Sequence, residues 1–263
     1  MNYSLPLKNK TAFITGAGSG IGRATAKLFA AQGCDLALFS KTESELQSLS
    51  DELQNLGRRL LLFAADVSDS HSVQKGIEST FSEFGKLDIV IANAGVNGVF
   101  APIDKISPDD FLKTIRINLY GTFLTIHYAT PYLKKQGGSI VITSSINGNR
   151  TFTLAGASAY SASKAAQVAL SRMLAVELGP YKIRVNSVCP GLIATNIEKS
   201  TIREDTEGII PKVEFPEGTM PLTGKRAGSA KQVADLILFL VSESASHISG
   251  TEVFIDGGQS LLQ

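Results

Sequence analysis

The feature that most constrains this chain is an alternation of short apolar runs with longer helical stretches. Seven runs read as strands: Ala12-Phe13-Ile14-Thr15, Leu36-Ala37-Leu38-Phe39, Leu60-Leu61-Leu62-Phe63, Ile89-Val90-Ile91, Ser139-Ile140-Val141-Ile142-Thr143, Val185-Asn186-Ser187-Val188 and Glu252-Val253-Phe254-Ile255. Several are apolar almost throughout instead of alternating, so both of their faces are buried, which a parallel sheet covered by helices requires. Between them, residues 21–32, 43–56, 72–84 and 158–178 read as helices, the first closed by Gly33 and the last by Gly179-Pro180. Right-handed crossovers then give a doubly wound α/β Rossmann fold: a parallel seven-stranded sheet with helices on both faces.

No linker, repeat or low-complexity tract interrupts this rhythm, so residues 1–263 are expected to form a single domain. One segment departs from it. Residues 195–228 are polar and charged and carry Pro211, Pro216 and Pro221 between a strand and a helix, where such folds place a substrate lid. A chain of 263 residues buries about three-quarters of its unfolded surface and needs no staples. The net charge of +1 builds no basic field for nucleic acid or an anionic membrane. Two cysteines, Cys34 and Cys189, make no disulfide framework. Residues 1–10 lack the apolar stretch of a signal peptide, and a cytoplasmic protein is expected.

The first strand leads into Thr15-Gly16-Ala17-Gly18-Ser19-Gly20-Ile21-Gly22, four glycines in seven residues at a strand-to-helix junction. There, backbone N–H groups can approach a pyrophosphate that rests on the helix N-terminus. The spacing is not G-x-G-x-x-G, because its last glycine would fall on Ile21 or Arg23, and no G-x-x-x-x-G-K-[ST] is present.

The turn resembles the cofactor turn of the short-chain dehydrogenase/reductase family in its compact, single-domain form, and the resemblance runs along essentially the whole chain. Gly16, Ser19, Gly20, Ile21 and Gly22 fall in that turn. Asp66 and Val67 resemble the family's adenine contact, and Asn93-Ala94-Gly95 its strand-end motif. Pro190, Gly191, Ile193 and Thr195 resemble its nicotinamide-side loop, and Asp256-Gly257-Gly258 its C-terminal signature. Asn118, Ser145, Tyr160 and Lys164 resemble its catalytic tetrad. The family implies an NAD(P)-dependent oxidoreductase acting on a ketone or secondary alcohol. It also implies a homotetramer paired through helices around residues 109–132 and 158–178. The spacing from Ser145 to Tyr160 is about two residues longer than the commonest family version, which bears on the shape of the substrate loop.

The residues themselves suit this chemistry. Tyr160 and Lys164 are four apart in a helix and share a face, as an ordinary surface pair would also do. A free phenol ionises near pH 10, and lowering that by about two units takes roughly 2.7 kcal/mol, which a close ammonium can supply. Ser145 ends a strand and can orient a substrate oxygen or cap a turn. The family pattern selects it over Ser144, because it stands three residues before Gly148. Asn118 reads equally as a helix-face asparagine; the resemblance implies that it kinks its helix and holds a water against Lys164. Lys164 is implied to bind the nicotinamide ribose as well.

NAD-selective sites carry an acid at the end of the second strand. Here that strand runs into Ser40-Lys41, with Asp35 too early and Glu43 inside the next helix, so NADP(H) is expected over NAD(H). Ser19 is neutral where NADP-selective relatives often have a second basic residue. His71, His127 and His247 are scattered and suggest no metal, and Cys189 lacks an activating base. Tyr120, Tyr128 and Tyr132 read as core or subunit contact. Two other classes compete with the reading as an enzyme of this kind. A silent cofactor-binding scaffold would not need all four tetrad residues. A sugar-nucleotide epimerase or dehydratase carries more chain after its last strand. The pocket candidates Val96, Asn97, Phe100, Ile146, Asn147, Arg150 and Leu154 suit a 3-oxoacyl thioester, a sugar or a small cyclic ketone equally.

Overall fold

In the computed structural model, which describes residues 5–209 and 215–262, the strands and helices alternate as the apolar runs require. The elements are β1 (Thr11–Thr15), α1 (Gly20–Ala31), β2 (Asp35–Ser40), α2 (Glu43–Leu53), β3 (Leu60–Ala64), α3 (Ser70–Phe84) and β4 (Ile89–Ala92). After these come β5 (Gly98–Phe100), α4 (Pro108–Ile115), α5 (Gly121–Leu133), β6 (Gly138–Thr143), α6 (Ser158–Leu178) and β7 (Ile183–Pro190). The chain closes with β8 (Ile193–Ala194), β9 (Thr201–Arg203), β10 (Gly228–Ser229), α7 (Ala230–Val241) and β11 (Glu252–Ile255).

Seven of these strands form one parallel sheet in the order β3-β2-β1-β4-β6-β7-β11. The chain winds outward from β1 to β3, then returns to the other side of β1 with β4. The order reverses there, so the carboxyl ends of β1 and β4 open a crevice, the usual ligand position in such sheets. Strand periodicity sorts the core into two layers. Ala12, Ile14, Leu36, Leu38 and Ile91 pack with α1, α2 and α7. Phe13, Ala37, Phe39, Val90 and Ile142 point the other way, onto α3, α5 and the end of α6. Phe13 and Phe39 are fully enclosed, and truncating either to Ala would cost about 3–5 kcal/mol.

Local chemistry sets the element ends. Helix α3 starts two residues earlier than its apolar pattern suggests, because Asp69 caps it by accepting from His71 N, and Gly85 ends it in the left-handed region at φ 76°. Helix α7 begins with a reciprocal capping box between Ser229 and Gln232. Residues 54–56 leave α2 as a 3₁₀ turn.

The polar segment 195–228 is tied at both ends, with its residues 210–214, including Pro211, outside the described residues. Strand β8 pairs with β10, and β9 pairs in parallel with β5, forming two small sheets beside the main one. Asn97, just before β5, reinforces the β5–β9 pair by donating from Nδ2 to Thr201 Oγ1 at 2.8 Å, and Lys105 pairs with Asp205 at 2.6 Å. Among the described residues, no helix is long and apolar enough to cross a membrane.

Candidate active site

A cavity of about 860 Å³ opens along the carboxyl ends of β1, β2, β4, β6 and β7. Its walls include every residue named from the sequence for the cofactor except Gly22, and also Ser145, Tyr160 and Lys164. Gly22 and Asn118 do not face it and act from behind.

The glycine turn is held by its neighbours. A Cβ on Gly22 would run into the carbonyl of Gly16, so only glycine lets α1 start this close to the end of β1. Thr15 Oγ donates to Ile91 O and accepts from the N–H groups of Asn93 and Ala94, locking the end of β4 to β1. Asn93 Nδ2 returns the contact by donating to Thr15 O at 3.1 Å. Asn93 therefore braces the turn from the neighbouring strand. A Cβ on Gly20 would meet Thr195 at 3.3 Å, so the turn and the start of the lid segment converge on one space.

At the far end, Lys41 is exposed and donates to Asp66 Oδ2 at 3.1 Å, while Ser68 donates to Asp66 Oδ1 through both N–H and Oγ. Burial pushes the Asp66 carboxyl upward, but these hydrogen bonds outweigh it and hold the group below its ordinary value. Glu45, which the sequence reading passed over, lines the cavity too. Its Oε2 lies 2.6 Å from where a Cβ of Gly18 would stand, as does Ser40 Oγ at 2.9 Å. On the opposite side, Gln259 Oε1 accepts from Leu192 N at 2.8 Å and steadies the loop after β7.

The two adjacent serines have different employment. Ser144 Oγ donates to the Lys164 carbonyl at 2.8 Å and fastens β6 to α6. Ser145 Oγ accepts from Asn147 N at 3.2 Å and lines the cavity with Tyr160. Tyr160 is buried against Phe100, their ring centroids 6.3 Å apart.

Asn118 sits in a π turn, Arg116–Tyr120, between α4 and α5. Its side chain behaves like a strand rung, accepting from Val96 N at 2.8 Å and donating to Val96 O at 2.9 Å. It also donates to Ser163 Oγ on α6 at 3.0 Å. Asn118 thus ties the wide turn to the loop after β4 and to the helix that carries Tyr160 and Lys164.

Lys164 corrects one expectation. Where a close ammonium–phenol contact was expected, its ammonium makes no hydrogen bond to the Tyr160 phenol in this structure. Nζ donates to Thr143 O at 2.9 Å and to Gln167 Oε1 at 3.1 Å, and stands 5.7 Å from the phenol ring centroid. Burial raises the Tyr160 pKa, Ser145 partly opposes it, and the charge of Glu198 raises it further. Burial likewise lowers Lys164 from 10.5 to about 8. Gln167 is the residue that the sequence reading missed here; a glutamine on a helix interior carries no spacing signal. Cys189 is buried, and burial pushes its thiol up to about 12, so it stays protonated at neutral pH. Among the described residues no group of three His, Cys, Asp or Glu could hold a metal.

A family model described as enoyl-(acyl carrier protein) reductase matches residues 16–260. Levodione reductase of Leifsonia aquatica is 35% identical over 96% of this chain and 94% of its own length. L-rhamnose 1-dehydrogenase (NAD(P)(+)) of a Sphingomonas species is 34% identical over 96% of each. The crystal structure of a 3-ketoacyl-ACP reductase from Sinorhizobium meliloti is 50% identical, with a TM-score of 0.92 over 96% of this chain and 100% of that one. Two more similar structures hold nucleotides. A short-chain dehydrogenase from Burkholderia cenocepacia, in complex with NADP, is 33% identical with a TM-score of 0.85 over 97% of this chain and 99% of that one. Carveol dehydrogenase from Mycobacterium avium, in complex with NAD, is 29% identical with a TM-score of 0.87 over 98% of this chain and 99% of that one. Relatives of this identity along almost the full length, on a sheet of the same winding, make the chain a member of the short-chain dehydrogenase/reductase family.

Proposed function

We propose that the protein moves a hydride between a nicotinamide dinucleotide, NADP(H) in preference to NAD(H), and a ketone or secondary alcohol, with Tyr160 transferring the proton. One observation carries this reading: Ser145, Tyr160 and Lys164 open on the same cavity as the glycine turn. Relatives with bound NADP and NAD support the cofactor class. The fit is also local, since Gly16, Ser19, Gly20 and Ile21 of the turn line the cavity where α1 begins, the place where a helix N-terminus receives a pyrophosphate.

The dinucleotide, when bound, supplies or accepts the hydride. The protein does the remainder. Ser145 orients the substrate oxygen. In reduction Tyr160 gives its proton to that oxygen as the carbon is reduced, and in oxidation the phenolate takes the proton from the alcohol. A phenol held protonated by burial is ready for the reductive direction. For oxidation the ammonium of Lys164 must turn from Thr143 O toward the phenol. At the ribose end, Ser40 and Lys41 would meet a 2′-phosphate, Lys41 exchanging Asp66 for it. The segment 195–228 would close over the substrate, with Ile197, Glu198 and Ile202 facing the cavity. The relatives' names span levodione, L-rhamnose and 3-ketoacyl groups, and the wall mixes apolar and polar residues. We therefore keep the substrate class at 3-oxoacyl, sugar or small cyclic ketone.

The test is nicotinamide absorbance with the purified protein, NADPH or NADH, and ketones of all three classes. Turnover with at least one ketone, faster with NADPH, is expected. Tight nucleotide binding with no turnover on any of them would favour a cofactor-binding scaffold.

A further inference from the structure

Gln167 is fully buried on α6, one turn beyond Lys164, and every polar atom of its side chain is engaged. Nε2 donates to the Asn118 carbonyl at 2.7 Å and to Thr122 Oγ at 2.8 Å, while Oε1 accepts from Lys164 Nζ at 3.1 Å. The amide has only one workable orientation. A backbone carbonyl accepts and cannot donate, so it must face the NH₂ group. Thr122 spends its own proton on the same Asn118 carbonyl at 2.7 Å, and so it too can only accept from Gln167. Oε1 is therefore fixed toward Lys164 as a pure acceptor.

Lys164 has three N–H donors. Gln167 and Thr143 O take two of them in fixed directions, leaving one for the cavity that Lys164 lines. We propose that Gln167 is a positioning residue: it couples Lys164 to the Asn118 π turn and, by accepting from the charged form, sets the pH range in which the Tyr160–Lys164 pair works. This rests on the proton-transfer reading of that pair given above. An oriented carboxamide favours the ammonium against the cost of burial, which otherwise drives Lys164 toward the neutral amine. The other titratable groups acting on the pair are Cys189 on β7 and Glu198 in the lid segment. Neither contacts Lys164 through a hydrogen bond, whereas Gln167 does.

The test is the pH profile of kcat/KM for ketone reduction in wild type, Gln167→Met and Gln167→Glu. The alkaline limb reports loss of a proton from Tyr160 or Lys164, and a change at Gln167 acts on it through Lys164. Gln167→Met keeps length but removes the acceptor. Its limb should move to lower pH by about one unit, and kcat/KM near neutrality should fall about tenfold or more. Gln167→Glu supplies an ionised acceptor to Lys164; the Thr122 hydroxyl turns from the Asn118 carbonyl to its second oxygen, that carbonyl loses both donors, and the limb should move to higher pH. A merely structural glutamine would lower the melting temperature and leave both limbs in place, and that result overturns the proposal. If Gln167→Met does not fold, Gln167→Glu decides alone: an upward move supports the proposal, an unmoved limb refutes it. Tyr160→Phe run alongside separates the two levels. Full turnover there removes the underlying reading and this proposal with it, while a dead Tyr160→Phe with unmoved limbs removes only the role of Gln167.

Discussion

Replacing Lys164 by Met should change how stability depends on pH, by an amount the burial of Lys164 fixes. The substitution keeps a linear side chain and removes the ionisable group. Its effect on absolute stability mixes two opposing contributions: relief of a buried charge, and two acceptors, Thr143 O and Gln167 Oε1, left without a donor at about 1–3 kcal/mol each. The orphaned acceptors do not titrate, so the pH dependence of the wild-type-minus-variant difference isolates the proton. Lys164 releases its proton at about 8 when folded, against an ordinary value of 10.5. Between those values the unfolded chain binds more protons than the folded one, so wild-type stability must rise with pH relative to the variant. A gap of about 2.5 pH units at 1.36 kcal/mol per unit makes the rise about 3 kcal/mol, complete above the unfolded value and absent below the folded one. Other lysines and tyrosines titrate in both proteins and cancel. Urea unfolding of the nucleotide-free proteins at about pH 7 and at about pH 11 measures it. A difference that stays constant within about 1 kcal/mol would mean that Lys164 is not desolvated as the structure has it.

Three further outcomes are expected. Ser40→Asp should shift kcat/KM from NADPH toward NADH, because a carboxylate there repels a 2′-phosphate, and unchanged selectivity would place the discriminating group elsewhere. Lys41→Ala should weaken NADPH binding more than NADH binding, with the gap closing at high salt, since an exposed point charge is screened; equal losses would show that Lys41 serves only Asp66. Light scattering should give the mass of four chains. Met173 and Val176 on α6 and Phe123 on α5 are exposed apolar side chains on the two helices expected to pair, and a monomer at micromolar concentration would refute that assembly.

The sequence carried the sheet well because buried parallel strands must be apolar on both faces. All seven expected runs became strands of the main sheet, extended by up to two residues at their ends. Helix 158–178 has the same bounds in the structure, since Gly179-Pro180 leaves it no continuation. Strands β5 and β9 had no such signal: three residues each, they pair only because the lid segment folds back past Asn97. The π turn was equally silent, for its cause is Asn118 bonding a distant loop and not any local propensity. At the site, residue types and order pointed to one cavity, but side-chain directions did not follow from spacing. Lys164 and Tyr160 share a helix face, yet the ammonium is drawn off by Thr143 O and Gln167, partners 21 and 3 residues away. Glu45 escaped notice for a similar reason, since only the packing of α2 brings it beside Ser40.

The measurement that bears most directly on the proposed activity is turnover of Tyr160→Phe with the best ketone and cofactor found for the wild type, beside nucleotide affinity and melting temperature. The change removes one buried hydroxyl and keeps the ring that packs on Phe100, so the fold and nucleotide binding should persist. With the positioned acid gone, kcat should fall about 10²–10⁴-fold. A folded, nucleotide-binding Tyr160→Phe protein that turns over at nearly the wild-type rate would contradict the assignment of proton transfer to Tyr160.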